Sequence, residues 1–427
     1  MTWGTNHTWT VGEILTAALF NLWIRDQLAE TAPAKVTTKG DLTPASGSGA
    51  LVRKAVGTDG QVLMADAAST GGMKWAPVAG TIPGTAPVFP IVTPTANVDV
   101  VAWHPLGTAL AITKSGTPYL YVYPFDTATG TFGAPSTPPV APAGEPQGIT
   151  WSPDGAYVAI VSQVSPYIQT YPWDGAALGA VVANPGSLPA GSGSSVAFSP
   201  NGSFIAVGHA TTPFVSLYPW AAGVYGTKTT PGTPPPGETH SITWSPTSLS
   251  LVCGSASTPY ITAYPISVGG VFGTLFRPAA TAPGYAYSLA INAAGTYLGV
   301  GSSASPYVFV YPYTDSAIGV RVTDPVTLPP GQVYRAAWWE FGSTKVLICV
   351  NNTSAPYWTI YRWTGTAFAG VREWDFSNRE VRGLAVITQH APRIYQDQGL
   401  AVNPISGHVA VALQGSPYLY VMAPDAL

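Results

Sequence analysis

Residues 144–174, GEPQGITWSPDGAYVAIVSQVSPYIQTYPWD, run in short apolar stretches broken by turn residues. A polar lead-in reaches an apolar stretch ending at Trp151, and Ser152-Pro153-Asp154-Gly155 supplies a turn. A second apolar stretch follows, and Pro166-Tyr167 opens a third that closes on Tyr171-Pro172. Apolar runs this short, bounded by Gly, Pro, Ser and Asp, predict strands joined by tight turns. The pattern recurs seven times. A proline followed by an aromatic stands at Pro118-Tyr119, Pro166-Tyr167, Pro213-Phe214, Pro259-Tyr260, Pro306-Tyr307, Pro356-Tyr357 and Pro417-Tyr418, and most steps are 46 to 50 residues. Fifteen residues before the proline stands a large apolar anchor in the first five repeats: Trp103, Trp151, Phe198, Trp244 and Ile291. The sixth keeps Trp338 with three added residues.

A repeat of this length with several short strands is the signature of a β-propeller blade. The predicted fold is mainly β: a seven-bladed β-propeller of four-stranded blades over residues 81–427. Before it come an N-terminal helical segment, 1–34, and a small β-module with linker, 35–80. Two residues before the anchor stand Val101, Ile149, Val196, Ile242, Leu289 and Ala336, with Ala102, Thr150, Ala197, Thr243, Ala290 and Ala337 between. This large and small alternation fits an innermost strand packed between neighbouring blades. Gly130-Thr131-Phe132-Gly133-Ala134-Pro135 reads as the outer strand of the first blade. The chain ends after the third strand of the last blade, and Gly84-Thr85-Ala86-Pro87-Val88-Phe89 resembles that outer strand, so residues 86–92 are expected to complete the blade and close the ring. Closure removes unpaired inner edges.

Positions shared by every blade serve the fold, and positions that vary are free to bind. Six before the anchor stand Asn97, Glu145, Ser192, Glu238, Tyr285 and Gln332. Four before it stand Asp99, Gln147, Ser194, His240, Tyr287 and Tyr334. Both columns begin the innermost strand, which places them around the mouth of the central channel as candidate ligand-binding residues. In the seventh blade Gly383–Val386 and Gly399–Val402 both resemble the anchor strand. The first is favoured, because EVRGLAV matches EPQGITW; it adds Glu380 and Arg382 to the candidates and puts an insertion, residues 389–403, between strands one and two. Long loops are where function tends to sit. The aromatics after each proline form a second candidate ring for a sugar, although packing is the ordinary role of a residue present in every blade.

Residues 11–30, VGEILTAALFNLWIRDQLAE, predict a helix, with Pro33 just beyond its end. Apolar positions cover much of its circumference, so association with copies of itself or with a partner is expected. In the following module Asp59-Gly60 predicts a hairpin between 54–56 and 61–64.

Composition narrows the function. Charged residues are 9% of the chain and the formal net charge is −3 without a basic cluster, so nucleic acid is not an expected partner. Cys253 and Cys349 fall on second strands two blades apart, beyond disulfide reach, and read as buried small hydrophobes. The N-terminus lacks a cationic start, and the apolar run at 15–24 is interrupted by Asn21. Neither a signal peptide nor membrane insertion is expected. Glu145, Glu238 and Glu380 are the carboxylates at one repeat-equivalent position, in non-adjacent blades. No catalytic dyad, phosphate loop or metal-ligand spacing stands out, so neither catalysis nor a cofactor or metal is expected.

Two stretches carry a resemblance. GEILTAALFNLWIRDQLAETAPAKVTTKGDL and AVGTDGQVLMADAASTGGMKWA, within residues 3–76, resemble a segment of tail-fibre and other virion structural proteins of tailed bacteriophages. The resemblance implies a virion location after assembly in the host cytoplasm, contacts with other virion proteins through the N-terminal region, and a homo-oligomer, often a trimer. The blades resemble WD40 and related propeller repeats in Trp151-Ser152-Pro153-Asp154-Gly155. Gly-His and Trp-Asp do not recur from blade to blade as they do in that family, and Tyr-Pro replaces the latter at 123, 171, 218, 264 and 311. The expected function is a tail fibre or other appendage whose propeller is an adhesion head for a host-surface glycan or protein. The alternatives are a virion decoration protein using the propeller for protein contacts, and a propeller enzyme acting on polysaccharide.

Overall fold

Every regular element among the described residues is a β-strand. The computed structural model describes residues 61–65, 73–77, 94–341, 344–351, 358–374, 400–402, 409–412 and 419–422. The expected helix at 11–30, the closing strand at 86–92 and the stretch 383–386 lie outside them. The chain divides into two compact units, Met1–Ala86 and Pro87–Leu427.

In the first unit β1, Gln61–Ala65, pairs antiparallel with β2, Met73–Pro77, and Leu63 stands opposite Trp75. The strand expected at 61–64 is present and pairs with 73–77; the stretch 54–56 and the turn at Asp59-Gly60 lie outside the described residues. The segment 73–77 supplies five consecutive ladder partners.

The second unit repeats one antiparallel meander. Its first sheet is β3 (Val98–Trp103), β4 (Ala109–Lys114), β5 (Leu120–Asp126) and β6 (Thr131–Phe132). The next sheets are β7 (Pro146–Trp151), β8 (Tyr157–Ser162) and β9 (Ile168–Pro172); then β10 (Gly193–Phe198), β11 (Phe204–His209), β12 (Val215–Ala221) and β13 (Val224–Tyr225). There follow β14 (Thr239–Trp244), β15 (Ser250–Ser255) and β16 (Ile261–Pro265), and β17 (Ala286–Ile291), β18 (Tyr297–Ser302), β19 (Val308–Thr314) and β20 (Ala317–Ile318). The last two are β21 (Val333–Phe341), β22 (Thr344–Asn351), β23 (Trp358–Trp363) and β24 (Phe368–Trp374), then β25 (Leu400–Val402), β26 (Val409–Ala412) and β27 (Leu419–Met422). Where the fourth strand is not continuous, single bridges such as Trp173 to Leu178 and Ala263 to Phe276 hold its place.

First strands of successive sheets lie against one another from β3 through β21, and β25 and β26 lie against β3. This is the arrangement of a β-propeller. Its core is a series of inter-blade interfaces. Ile149 and Trp151 of one sheet share a cluster with Val100, Ala102, Ala109 and Ala111 of the preceding sheet, while Val101 and Trp103 pack on the other side with Ala410 of the last sheet. The large face of each blade lies on the small face of the blade before, which is why large and small residues alternate along the first strand.

Trp indoles cross the same boundary. Trp151 Nε1 donates to Ala102 O at 3.0 Å, Trp244 Nε1 to Ala197 O at 3.2 Å and Trp338 Nε1 to Ala290 O at 3.0 Å.

The turn chemistry read from the sequence is realised. Gly155, at φ 73°, donates its N–H to Ser152 O, and Ser152 Oγ accepts the Tyr157 N–H. The proline anchors sit in turns with cis X-Pro bonds at 118, 166, 213, 259 and 306. The aromatic that follows each adopts φ between 63° and 67°. A bulky side chain tolerates that left-handed conformation only where the surroundings over-determine it. Here both backbone groups of the aromatic are bonded: Tyr167 N–H to Val164 O at 2.9 Å, and Ser162 N–H to Tyr167 O at 3.0 Å. The half-buried aromatics are thus committed to the turn.

One register expectation is corrected. The strand paired with β26 is β25, Leu400–Val402, so the second of the two candidate stretches opens the last sheet. Val402 stands fifteen residues before Pro417, the spacing of the first five repeats, and the earlier stretch breaks it. Of the expected insertion, residues 400–402 are the first strand of this sheet and residues 389–399 precede it in the chain.

Candidate functional site at the strand bulges

In six sheets the ladder between first and second strands slips at one place. The shifts fall between Val98 and Val100, Pro146 and Gly148, Gly193 and Ser195, Thr239 and Ser241, Ala286 and Ser288, and Val333 and Arg335. The unpaired residue in each is the one four before the anchor: Asp99, Gln147, Ser194, His240, Tyr287 and Tyr334. A bulge frees its residue from the ladder and re-aims the side chain. One of the two variable columns is therefore the column the backbone pushes out of register. Backbone bonds from the end of the second strand fix the residue two earlier: Ser115 N–H to Asn97 O at 2.9 Å, Ala256 N–H to Glu238 O at 3.0 Å and Ser303 N–H to Tyr285 O at 3.1 Å.

Five bulged residues share one cavity. A pocket of about 280 Å³ is lined by Gln147, Gln163, Ser192, Gly193, Ser194, Glu238, His240, Tyr287, Tyr334 and Arg335. The rings of Tyr287 and Tyr334 stack at 4.7 Å between centroids with 12° between planes, and His240 lies 6.0 Å from Tyr287. Tyr334 Oη donates to Gln332 Oε1 at 2.8 Å, which sets the ring's orientation. Burial holds the His240 imidazole below its ordinary pKa; Glu238, 4.0 Å away, opposes that shift and Arg335 adds to it. Neutral imidazole both donates and accepts hydrogen bonds. Burial and the neighbouring Tyr334 raise the Tyr287 phenol, so it stays protonated.

Of the residues read from the sequence, Gln147, Ser192, Ser194, Glu238, His240, Tyr287 and Tyr334 line this pocket. Tyr285 and Gln332 stand one contact away, Tyr285 with its ring edge-on to Tyr287 at 6.1 Å. Asn97, Asp99 and Glu145 are not in it. Ser115 Oγ joins Asp99 and Glu145, at 3.4 Å and 3.0 Å, in a separate group. Glu380 and Arg382 lie outside the described residues.

Sequence reasoning missed Gln163, Gly193 and Arg335. Arg335 carried a legible signal. Three before the anchor stand Val100, Gly148, Ser195, Ser241, Ser288 and then Arg335, one cation in a column of small or apolar residues. The serines stitch the inner strands: Ser195, Ser241 and Ser288 Oγ each accept, at 3.1 Å, the N–H of Ile242, Leu289 and Ala336 in the next blade. Arg335 is 7% exposed, and its Nη1 donates to Tyr334 O at 2.6 Å and Tyr287 O at 3.5 Å. It ties together the two bulges that carry the stacked tyrosines.

Among the described residues no three His, Cys, Asp or Glu side chains converge as metal ligands would, and no helix is long and apolar enough to cross a membrane. Cys253 and Cys349 are fully buried thiols, raised in pKa by burial.

No protein-family model matches the chain, and no curated protein does. Among solved structures the β-propeller domain of Cps50 (Swd1) from Myceliophteria thermophila is similar, with a TM-score of 0.52 and 13% identity, over 76% of this chain and 96% of that domain. At that identity the likeness is one of architecture, and it carries no ligand or activity across. Bulged first strands, inter-blade packing and this likeness lead to one conclusion: the described residues are mainly β and the chain contains a β-propeller.

Proposed function

We propose that this protein is a recognition protein, an appendage of a tailed-bacteriophage virion whose propeller is an adhesion head. The observation that carries the head is the convergence of Gln147, His240, Tyr287 and Tyr334, each on a strand bulge, into one cavity. Positions that differ between blades and share a cavity serve a ligand, not the ring. The virion setting rests on the resemblance of residues 3–76, which attach the chain and oligomerise it, as a trimer in this reading. The propeller has seven blades, with residues 86–92 completing the last. The repeated spacing and the place of Ala410 beside Trp103 support that count.

A second reading, a virion structural protein whose propeller makes only protein contacts, draws on valines exposed near the outer strands: Val224 at 66%, Val268 at 94% and Val320 at 75%. Purified full-length chain separates the two. An adhesion head blocks particle adsorption to the host in competition, and a Gln147→Ala and Tyr334→Ala double variant competes at least tenfold less well. Equal competition by both, or none by either, rejects the pocket as a receptor site.

A further inference from the structure

We infer that the pocket at the bulges takes a single neutral sugar ring, such as the terminal residue of a surface glycan, an inference that rests on the recognition reading above. Among the described residues the lining carries no aliphatic side chain. An acyl chain or the apolar anchor of a peptide finds no partner there, since small-molecule sites for such groups are lined mainly by hydrophobic residues. The aromatic surface comes from the stacked Tyr287 and Tyr334, which Arg335 holds by their carbonyls and Gln332 by the Tyr334 hydroxyl. A rigid ring with a polar tip suits a ligand that has one C–H face and hydroxyls at its edge.

Hydroxyl groups donate and accept at once, so a sugar site needs both kinds of partner close together. Glu238 supplies an acceptor, the Gln147 and Gln163 amides supply both, and His240 supplies both in its neutral form. The charges argue against an acidic sugar. Arg335 already donates to two carbonyls, and the Glu238 carboxylate faces the same cavity. A carboxylate ligand would be desolvated beside a like charge. Size sets the last limit. At about 280 Å³ the cavity lies at the lower edge of small-molecule sites, roughly 300–1,000 Å³, and holds one ring better than an extended chain.

The test uses the full chain, saturation-transfer NMR and calorimetry. The probes are methyl glycosides of glucose, galactose, mannose and N-acetylglucosamine, set against glucuronic acid and N-acetylneuraminic acid, with labelled chain binding to host cells measured in parallel. The expected result is at least one neutral glycoside binding with a dissociation constant of about 1 mM. Affinity falls at least tenfold in Tyr334→Ala and about fivefold in Glu238→Gln, and is retained in Tyr334→Phe, which keeps the ring if the alanine variant does not fold. Binding of the acidic sugars alone overturns the neutral class. Cell binding by a chain that takes no saccharide overturns the sugar inference and leaves the recognition reading standing. Failure to bind cells as well removes both.

Discussion

The indole nitrogen of Trp151 donates to the carbonyl oxygen of Ala102 at 3.0 Å, across a blade boundary and 49 residues along the chain. The bond does in the middle of the blade what Ser195, Ser241 and Ser288 do nearer the channel. It joins neighbours at a point where the small residue of one blade leaves room for the large residue of the next. Trp151→Phe keeps most of the buried surface and removes the donor, and Phe198 shows that an anchor without an indole is compatible with the ring. The expected cost is about 1–2 kcal/mol for the lost bond, against about 3–5 kcal/mol for Trp151→Ala. Urea denaturation at constant m-value checks both, and a Trp151→Phe cost indistinguishable from zero refutes the role of the bond.

His104 and His209 are buried, and burial lowers the pKa of each from 6.5 to about 4. His104 Nδ1 accepts the Leu106 N–H at 3.1 Å, a bond that protonation at that nitrogen would break. Between pH 6.5 and 4 the unfolded chain takes up protons at these positions and the folded chain does not. Stability is therefore full above about pH 6.5, falls as pH drops toward 4, and levels below it. Linkage gives at most roughly 3 kcal/mol per histidine. Unfolding free energies at pH 7.5, 5.5 and 4.5 measure the slope, and His104→Gln shallows it. A slope unchanged in that variant contradicts the assignment.

Arg335 is predicted to position the tyrosine stack. Arg335→Ser restores the side chain found in three other blades but leaves Tyr287 O and Tyr334 O without the guanidinium. Removing a buried charge-assisted donor costs about 1–3 kcal/mol. Near-ultraviolet circular dichroism reports the tyrosine environment, which is expected to change in Arg335→Ser and to recover in part in Arg335→Lys. An unchanged spectrum in Arg335→Ser means that the tyrosines hold themselves.

Cys253 and Cys349 are expected to resist thiol reagents in the native state. Both are fully buried, and burial raises both thiols, so access and thiolate are lacking together. Reaction with Ellman's reagent at pH 8 should await unfolding, and rapid labelling of the native chain refutes the burial.

A Cβ at Gly155 would stand 2.0 Å from His104 Nε2, and the residue has φ 73°. Gly155→Ala is predicted to cost about 2–4 kcal/mol, combining the left-handed penalty with displacement of a ring stacked edge-on to Trp151 at 4.8 Å. Thermal unfolding tests it, with Gly175→Ala as reference. Gly175 is also left-handed, at φ 99°, but nothing lies within 4 Å of its would-be Cβ. Equal costs in the two variants leave no room for the clash.

Much of the fold was legible because the repeats state one blade several times. The first strands end at their anchors, Trp103, Trp151, Phe198, Trp244 and Ile291, as the pattern predicts. The binding candidates were legible as a column, since variation at the position four before the anchor coincides with the bulge. The exceptions have identifiable causes. The last sheet was misread because local similarity at 380–386 outweighed the fifteen-residue spacing that points to Val402. Arg335 was passed over because it sits next to the variable column, among residues that serve the ring. Gln163 escaped because it lies at the far end of a second strand and comes near only through the hairpin.

The sequence by itself determined the strands, their turns and the packing faces. These follow from the two-residue period of a strand and from the turn chemistry of Pro, Asp and Gly, which act over a few residues. Only the tertiary structure decided which mouth residues meet. Repeat equivalence assigns Asp99, Gln147, His240 and Tyr334 the same place in their blades and cannot say which share a cavity. Asp99 turns to Ser115, while Gln147, His240, Tyr287 and Tyr334 converge. That choice depends on side chains brought together across nearly two hundred residues, where bulge geometry and a buried guanidinium act and no local pattern reaches.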